Sequence, residues 1–153
     1  MAPNQIREIS SKEVLVLRHT ILKFAESAAT SILPGDDDAS TRHFGLFIAG
    51  SLVGVASLFV EPLVARSEPG HRLRAMAIVE SSQRQGLGTA LLKAVIAAAA
   101  TAGSNYLWCT VRPNAVRFYS RLGFRDTKEQ IVMAHGNFSR MILALPSSPK
   151  TNS

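Results

Sequence analysis

Residues 83–92 read Gln83-Arg84-Gln85-Gly86-Leu87-Gly88-Thr89-Ala90-Leu91-Leu92. This stretch follows the apolar run 73–79 and leads into an Ala- and Leu-rich segment that ends at Ala102-Gly103. The pattern predicts a strand that runs through a glycine turn into a helix. Because glycine has no Cβ, a ligand can approach the backbone of this turn closely. The free N–H groups of the first helical turn and the positive end of the helix dipole favour an anionic phosphate group.

The spacing of the glycines separates the common phosphate-binding loops. A P-loop requires Gly-x-x-x-x-Gly-Lys-Ser/Thr, and the sequence contains no Gly-Lys pair. A Rossmann fingerprint requires a third glycine, where this chain has Leu91. The pattern that remains is Gln/Arg-x-x-Gly-x-Gly between a strand and a helix.

A second motif lies downstream. The short apolar strand predicted at 106–111 is followed by Asn114-Ala115-Val116-Arg117-Phe118-Tyr119-Ser120-Arg121-Leu122-Gly123-Phe124. Together the two motifs cover 73–124, and in order and spacing they resemble the GNAT superfamily of acetyl-CoA-dependent N-acetyltransferases. The resemblance implies an enzyme that moves an acetyl group from a thioester to a primary amine by direct attack in a ternary complex.

The predicted element order is β-α-β-β-β-α-β-α-β-β, a mixed α/β arrangement that agrees with the GNAT acyltransferase fold. Strands are predicted at 5–9, 43–49, 51–60, 73–79, 106–111, 124–132 and 138–145, and helices after 10–13, after 86 and at 114–122. The irregular stretch 25–42 has room for one more short helix. We expect a single GNAT domain over 1–145 and a disordered tail over 146–153.

Composition indicates a soluble globular protein. Of the 153 residues, 46% are hydrophobic and 18% charged, and no apolar stretch is long enough to span a bilayer. The N-terminal residues lack the apolar core of a secretory signal, and the only cysteine, Cys109, rules out an internal disulfide framework. Both points favour the cytoplasm.

The net charge of +6 is compatible with two interpretations. A nucleic-acid-binding protein is one of them, but the basic residues are dispersed, and neither an RNA-binding aromatic pattern nor zinc-ligand spacing accompanies them. An ordinary basic surface, which would also attract a polyanionic cosubstrate, is the other. We therefore expect neither nucleic acid nor a membrane as partner.

The resemblance implies acetyl-CoA as cosubstrate and no metal. Its pyrophosphate is assigned to the glycine turn and helix start, at Arg84, Gln85, Gly86, Leu87, Gly88 and Thr89. Position 84 is often glycine in the family, so Arg84 either contacts phosphate or points to solvent. The pantetheine arm is assigned to the backbone of Met76, Ala77 and Ile78, with strand 106–111 splaying away to leave a V-shaped slot. Asn114 either contacts the cofactor or caps the helix that follows.

The resemblance also implies the catalytic groups. A backbone N–H near Ala77 or Ile78 stabilises the tetrahedral oxyanion, and Tyr119 is the general acid that protonates the leaving thiolate. The family does not fix the general base. Glu80 is the first choice, and the other candidates are Glu61, His43 and His135. We interpret Cys109 as a buried structural residue rather than a nucleophile.

Some functional questions stay open at the level of sequence. A noncatalytic acyl-CoA-binding regulatory module on the same fold is the main alternative. The acceptor, a small molecule or a protein amine, cannot be identified. The run Asp36-Asp37-Asp38 is either a solvated turn or a site that attracts a cationic amine. The two closing strands could carry a homodimer interface.

Overall fold

The structure, a computed structural model, describes residues 4–22, 32–83, 85–133 and 136–146, except for the side chain of Leu22. The strands are β1 Gln5–Ile9, β2 Arg42–Ile48, β3 Ser51–Val60, β4 Gly70–Ile78, β5 Tyr106–Val111, β6 Arg125–Met133 and β7 Gly136–Ala144. The helices are α1 Ser11–Leu22, α2 Leu87–Thr101 and α3 Val116–Arg121, with 3₁₀ turns at Glu80–Ser82 and Pro113–Ala115. This order confirms the predicted fold. Of the stretch 25–42, where an extra helix was considered, the structure describes 32–42, which forms turns and the first residue of β2, and 25–31 lie outside the described residues. The tail predicted over 146–153 lies outside them from residue 147.

Several predicted boundaries were wrong; strand β7, for example, begins at Gly136 rather than at residue 138. Strand β4 begins at Gly70 rather than at residue 73, because it pairs in parallel with the start of β5 through Gly70–Tyr106, His71–Leu107 and Arg72–Trp108. The helix expected from residue 114 begins as the 3₁₀ turn Pro113–Ala115 and becomes α-helical only at Val116.

The seven strands are ordered β1-β2-β3-β4-β5-β7-β6, and the chain divides into two compact units. The first unit contains 1–59 and 73–95, and the second contains 60–72 and 96–153. The V-shaped slot predicted between β4 and β5 involves both units and stays a prediction, as does the single domain over 1–145.

The first unit is built on an antiparallel meander. Strand β2 pairs with β1 and with β3, and the turn between β2 and β3 places Ala49 and Gly50 at φ of 51° and 84°. Positive φ at both central residues is typical of a two-residue hairpin, so the hairpin predicted at Gly50 is confirmed. Apolar residues of the meander, of α1 and of β4 then form one core. Its buried members are Ile9, Val14, Val55 and Ala77.

Helix α1 begins with the predicted capping box. The Ser10 N–H donates to Oε1 of Glu13 at 3.0 Å, and the Glu13 N–H donates to Oγ of Ser10 at 3.1 Å. The bond from the Ser10 N–H is the largest cause that lowers the pKa of Glu13. The reciprocal pair satisfies N–H groups that a helix start leaves open.

A buried polar cluster links α1 to the loop before β2. Arg18 is 0% exposed, and its guanidinium donates to both carboxylate oxygens of Asp36 at 2.7 and 3.2 Å and to Ser57 Oγ at 3.0 Å. His43 lies 2.7 Å from Ser57 Oγ through Nδ1 and 2.9 Å from the Asp36 carbonyl oxygen through Nε2. Because a carbonyl only accepts, Nε2 carries a proton in this contact.

This cluster bears on two interpretations of the sequence. Asp36 is 4% exposed, so the solvated turn expected for Asp36-Asp37-Asp38 is wrong for its first member. His43 is also 4% exposed, with both ring nitrogens engaged. This arrangement is typical of a structural histidine, and the role of His43 as a general base stays a prediction.

The second unit is built on β5, β7 and β6, which pair antiparallel in that order. Tyr106, Trp108 and Ile142 are buried together on one face, with Leu63 packed against them. Helix α3 covers the opposite face, where the turn at Gly123 approaches Leu143. Gly70 is needed beneath Tyr106, because a Cβ at residue 70 would lie 2.2 Å from the tyrosine ring.

The first half of the loop Glu61–Pro69 is tied to the sheet of this unit. The Trp108 Nε1–H donates to the Glu61 carbonyl at 2.8 Å, and the Leu63 N–H donates to the Tyr106 hydroxyl at 2.7 Å. The Arg72 guanidinium also lies 2.9 Å from a Glu61 carboxylate oxygen. The next residue after Leu63, Val64, is fully exposed.

Candidate active site

The glycine turn has the predicted form. Strand β4 ends at Ile78, the 3₁₀ turn Glu80–Ser82 follows, and α2 begins at Leu87. Gln83 Nε2 donates to the Ile78 carbonyl at 2.8 Å, which holds the turn against the strand end. Gly86 has φ of +76°, and a Cβ there would contact nothing within 4 Å. The positive φ explains the need for glycine, and the open space leaves the backbone accessible.

The start of α2 presents donors rather than acceptors. The first intrahelical bond runs from the Ala90 N–H to the Gly86 carbonyl at 3.2 Å. The N–H groups of residues 86–89 therefore have no acceptor within the helix. The first turn of α2 contains no acidic residue, and Leu87 anchors it with a buried side chain. This arrangement suits a bound anion. Arg84 lies outside the described residues.

Strand β4 contains a kink that sequence reasoning missed. Ala75 has φ of +55° in the strand interior, a left-handed conformation that non-glycine residues rarely adopt. Such a residue interrupts the regular strand geometry as a bulge does. The residues assigned to pantetheine follow it directly: Ala77 is buried in the core, and Met76 and Ile78 are half-buried. An alanine carries no sequence signal for this conformation.

The remaining candidates for the general base, Glu80, Glu61 and His135, differ in exposure and in ion pairing. Glu80 is an exposed residue of the 3₁₀ turn just after β4. Glu61, in the second unit, is already ion-paired with Arg72 at 2.9 Å. His135 lies outside the described residues. Glu80 is exposed, and within the described ranges its carboxylate forms no ion pair.

Tyr119 lies on α3 in the second unit and is 8% exposed. Its ring packs edge-on against Phe118 and Phe124, with centroids 5.1 and 5.4 Å away. Burial raises the pKa of Tyr119, and the nearby Cys109 adds to the effect. The phenol is neutral at physiological pH, as an unburied tyrosine also is, and the raised pKa makes it a weaker proton donor than an exposed tyrosine.

Cys109 is buried at 2% exposure, which confirms the structural interpretation. Burial raises the pKa of its thiol to about 12, although the Arg72 charge opposes the shift. Because the thiolate is the nucleophilic form, this residue is unsuited to covalent catalysis. Within the described ranges, no group of three or more His, Cys, Asp or Glu side chains could hold a metal ion.

Asn114 is exposed in the 3₁₀ turn before α3. Ala115, not Asn114, is the N-cap residue of α3, and no side chain caps that helix start, so the helix-cap alternative is wrong. Asn114 instead lines an open cavity of about 370 Å³ in the second unit. The other lining residues are Arg112, Pro113, Gly136, Asn137 and Phe138.

None of the helices in the described ranges has the length and apolar character needed to cross a bilayer. The sequence model of the GNAT acetyltransferase domain matches residues 6–145. The chain is 28% identical over 127 residues to YitI, an uncharacterized N-acetyltransferase of Bacillus subtilis (strain 168). That alignment covers 82% of this chain and 85% of the relative.

Solved structures share the fold at low identity. The ribosomal-protein-S18-alanine N-acetyltransferase of Escherichia coli superposes with a TM-score of 0.71 at 24% identity, covering 99% of both chains. Ard1 from Thermoplasma volcanium superposes with a TM-score of 0.75 at 20% identity, covering 95% of this chain and all of its own. These comparisons do not favour the noncatalytic alternative. Because the GNAT acetyltransferase domain matches most of the chain, residues 6–145, the chain belongs to the GNAT acetyltransferases and is an acyl-transferring enzyme.

Proposed function

We propose that the enzyme transfers an acetyl group from acetyl-CoA to a primary amine by direct attack in a ternary complex. The observation that carries this proposal is the start of α2, where Gly86 at φ of +76° opens a helical turn whose N–H groups lack intrahelical acceptors. Enzymes of this family use an acyl-CoA cosubstrate, and the pyrophosphate of that cosubstrate is the anion that such a helix start fits.

The pyrophosphate contacts are proposed for the backbone of Gln85, Gly86, Leu87, Gly88 and Thr89. Gln85 and Gly86 are exposed, and Thr89 is half-buried, so its hydroxyl can add a contact. Arg84 is proposed as a charge-assisted partner, from its position in the sequence alone. Asn114 is proposed as a further cofactor contact because its carboxamide is exposed.

The backbone of Met76, Ala77 and Ile78 is proposed to hold the pantetheine amides by strand addition. The kink at Ala75 supports this role, because left-handed residues inside strands concentrate at functional sites. A backbone N–H of Ala77 or Ile78 would also donate to the developing oxyanion. Loss of one such donor typically lowers the rate by about 10²–10³.

Two side chains are proposed to move protons. Tyr119 donates to the leaving thiolate of coenzyme A, a role that its place in the Phe118-Tyr119 motif supports. Glu80 accepts the proton of the attacking amine, and its exposed carboxylate supports this role. The amine attacks the thioester carbon, the carbon–sulfur bond breaks, and the products are an acetamide and free coenzyme A.

The test measures thiol release from acetyl-CoA with a panel of primary amines, comparing the wild type with Tyr119→Phe. We expect Tyr119→Phe to lower kcat by about 10²–10⁴ while the Kd for coenzyme A stays unchanged. Tyr106→Phe is the matched control. It removes a buried hydroxyl that accepts from the Leu63 N–H, so it should lower stability and leave kcat unchanged.

Two results would contradict the proposal. The first is tight binding of acetyl-CoA without thiol release on any amine, which would favour the noncatalytic alternative. The second is equal activity of Tyr119→Phe and wild type at saturating substrate, which would remove the assigned general acid. Repeating the assay with propanoyl-CoA determines whether acetyl is the preferred acyl group.

A further inference from the structure

We propose that the cavity lined by Arg112, Pro113, Asn114, Gly136, Asn137 and Phe138, the Arg112 pocket, binds the carboxylate of the acceptor, so that the acceptor is an amine that also carries a carboxylate. This inference rests on the proposed amine acetylation. The cavity measures about 370 Å³, which lies at the small end of ligand sites.

Arg112 differs in its pairing from Arg72 and Arg140, the two arginines whose guanidinium groups lie over the Trp108 ring. Arg72 lies 2.9 Å from a Glu61 carboxylate oxygen, and Arg140 lies 2.7 Å from one of Glu129. Arg112 is exposed, and no carboxylate of the described residues lies within ion-pair distance of it. The charges of the other two are thus already neutralised, whereas that of Arg112 is available to a ligand.

The guanidinium of Arg112 lies near an aromatic ring that lines the same pocket. It lies 5.7 Å from the centroid of Phe138, within the range of a cation–π contact. Strand β7 pairs Arg140 with Thr110 and Ile142 with Trp108. Phe138 alternates with Arg140 and Ile142, so it belongs to the same face of the sheet, opposite the face that α3 covers.

The lining suits a carboxylate better than an uncharged group. A guanidinium presents N–H donors in a planar fork that matches a carboxylate. The carboxamide of Asn137 adds N–H donors without opposing charge, and the Phe138 ring offers an apolar surface to a carbon skeleton. A few placed polar groups beside an apolar surface are typical of small-molecule sites.

The experiment compares amino acids with their decarboxylated amines, such as phenylalanine with phenethylamine, leucine with isopentylamine and lysine with cadaverine. Binding is measured by NMR titration without acetyl-CoA, using the backbone amides of Gly136 and Asn137 as local reporters. We expect at least one amino acid to bind more tightly than its decarboxylated partner. Arg112→Gln should raise the Kd of that amino acid about 10- to 100-fold and leave that of the amine unchanged.

Two variants separate charge from geometry. Arg112→Lys keeps the charge but loses the fork, so it should retain only part of the affinity. Arg121→Gln makes the same charge change on an exposed residue of α3, and we expect it to change the Kd by less than about twofold.

The proposal is overturned if no amino acid of the panel binds more tightly than its decarboxylated partner, or if Arg112→Gln leaves the difference intact. It is also overturned if Arg112→Gln weakens the binding of coenzyme A instead, because the pocket would then hold a phosphate of the cosubstrate. Binding that depends on Arg112 without thiol release would reject the acetyl transfer and keep the pocket. Release of the coenzyme A thiol at equal rates with amino acids and with their decarboxylated partners would keep the acetyl transfer and reject the carboxylate pocket.

Discussion

Asp36→Asn is the substitution that tests the buried polar cluster most directly. The Asp36 carboxylate accepts from both terminal nitrogens of Arg18 and, at 2.7 Å, from the Leu33 N–H. All three contacts are donors, so a carboxamide, which carries its own N–H groups on one arm, must turn a donor toward a donor. The substitution also leaves the Arg18 guanidinium, at 0% exposure, without its compensating charge.

The size of the effect follows from this burial. Removing one partner of a buried ion pair costs about 3–5 kcal/mol, because the remaining charge is left in a poorly solvated site. In a chain of 153 residues, each kcal/mol lowers Tm by about 2–4 °C. We therefore expect Asp36→Asn to lower Tm by about 6–20 °C.

Urea unfolding of the wild type, Asp36→Asn, Arg18→Met and the double variant measures the coupling between the two side chains. The double variant should be less destabilised than the sum of the single ones, because no uncompensated charge remains in it. Asp38→Asn, an exposed change in the same loop, is the control and should stay within about 0.5 kcal/mol. A loss below about 1 kcal/mol for Asp36→Asn, or strict additivity, would refute the reasoning.

Three further results are expected from the structure. Gly70→Ala places a Cβ 2.2 Å from the Tyr106 ring, so it should lower the free energy of unfolding by about 1–3 kcal/mol in urea, and an unchanged midpoint would contradict this packing. Gly86→Val puts a branched residue at φ of +76° and should weaken coenzyme A binding in calorimetry far more than Gly103→Val, which places the same residue at φ of +88° after the end of α2. Burial raises the pKa of Cys109 to about 12 from 9.0, so the thiol should react with a disulfide reagent at pH 8 only as fast as the chain unfolds. For the same reason the free energy of unfolding should be unaffected by this group below pH 9 and should fall as pH rises from 9 toward 12.

The sequence predicted the fold well because its signals are local. The capping box at Ser10, the two-residue turn at Gly50 and the glycine turn at Gly86 each depend on a few neighbouring residues, and the structure confirms all three. The strand at 106–111 was predicted to the residue, because a short apolar run between turn signals has few alternative structures.

The parts that sequence reasoning missed depend on distant partners. Asp36 belongs to an acidic run that favours a solvated turn, and only Arg18 and His43, brought close by folding, explain its burial. The kink at Ala75 is equally hidden, since alanine has no preference for positive φ. The roles of Tyr119 and Glu80 came from the family resemblance, and they stay predictions.

The hydrogen bonds that hold the first residues of the loop Glu61–Pro69 define a place where the chain can be lengthened. Glu61 and Leu63 are fixed by Trp108 and Tyr106, whereas Val64 is fully exposed. A fluorescent or affinity peptide inserted after Val64 would start from an anchored stem and extend into water, at the kind of exposed tip where insertions are tolerated. Such a label would report on the second unit without altering either chain terminus.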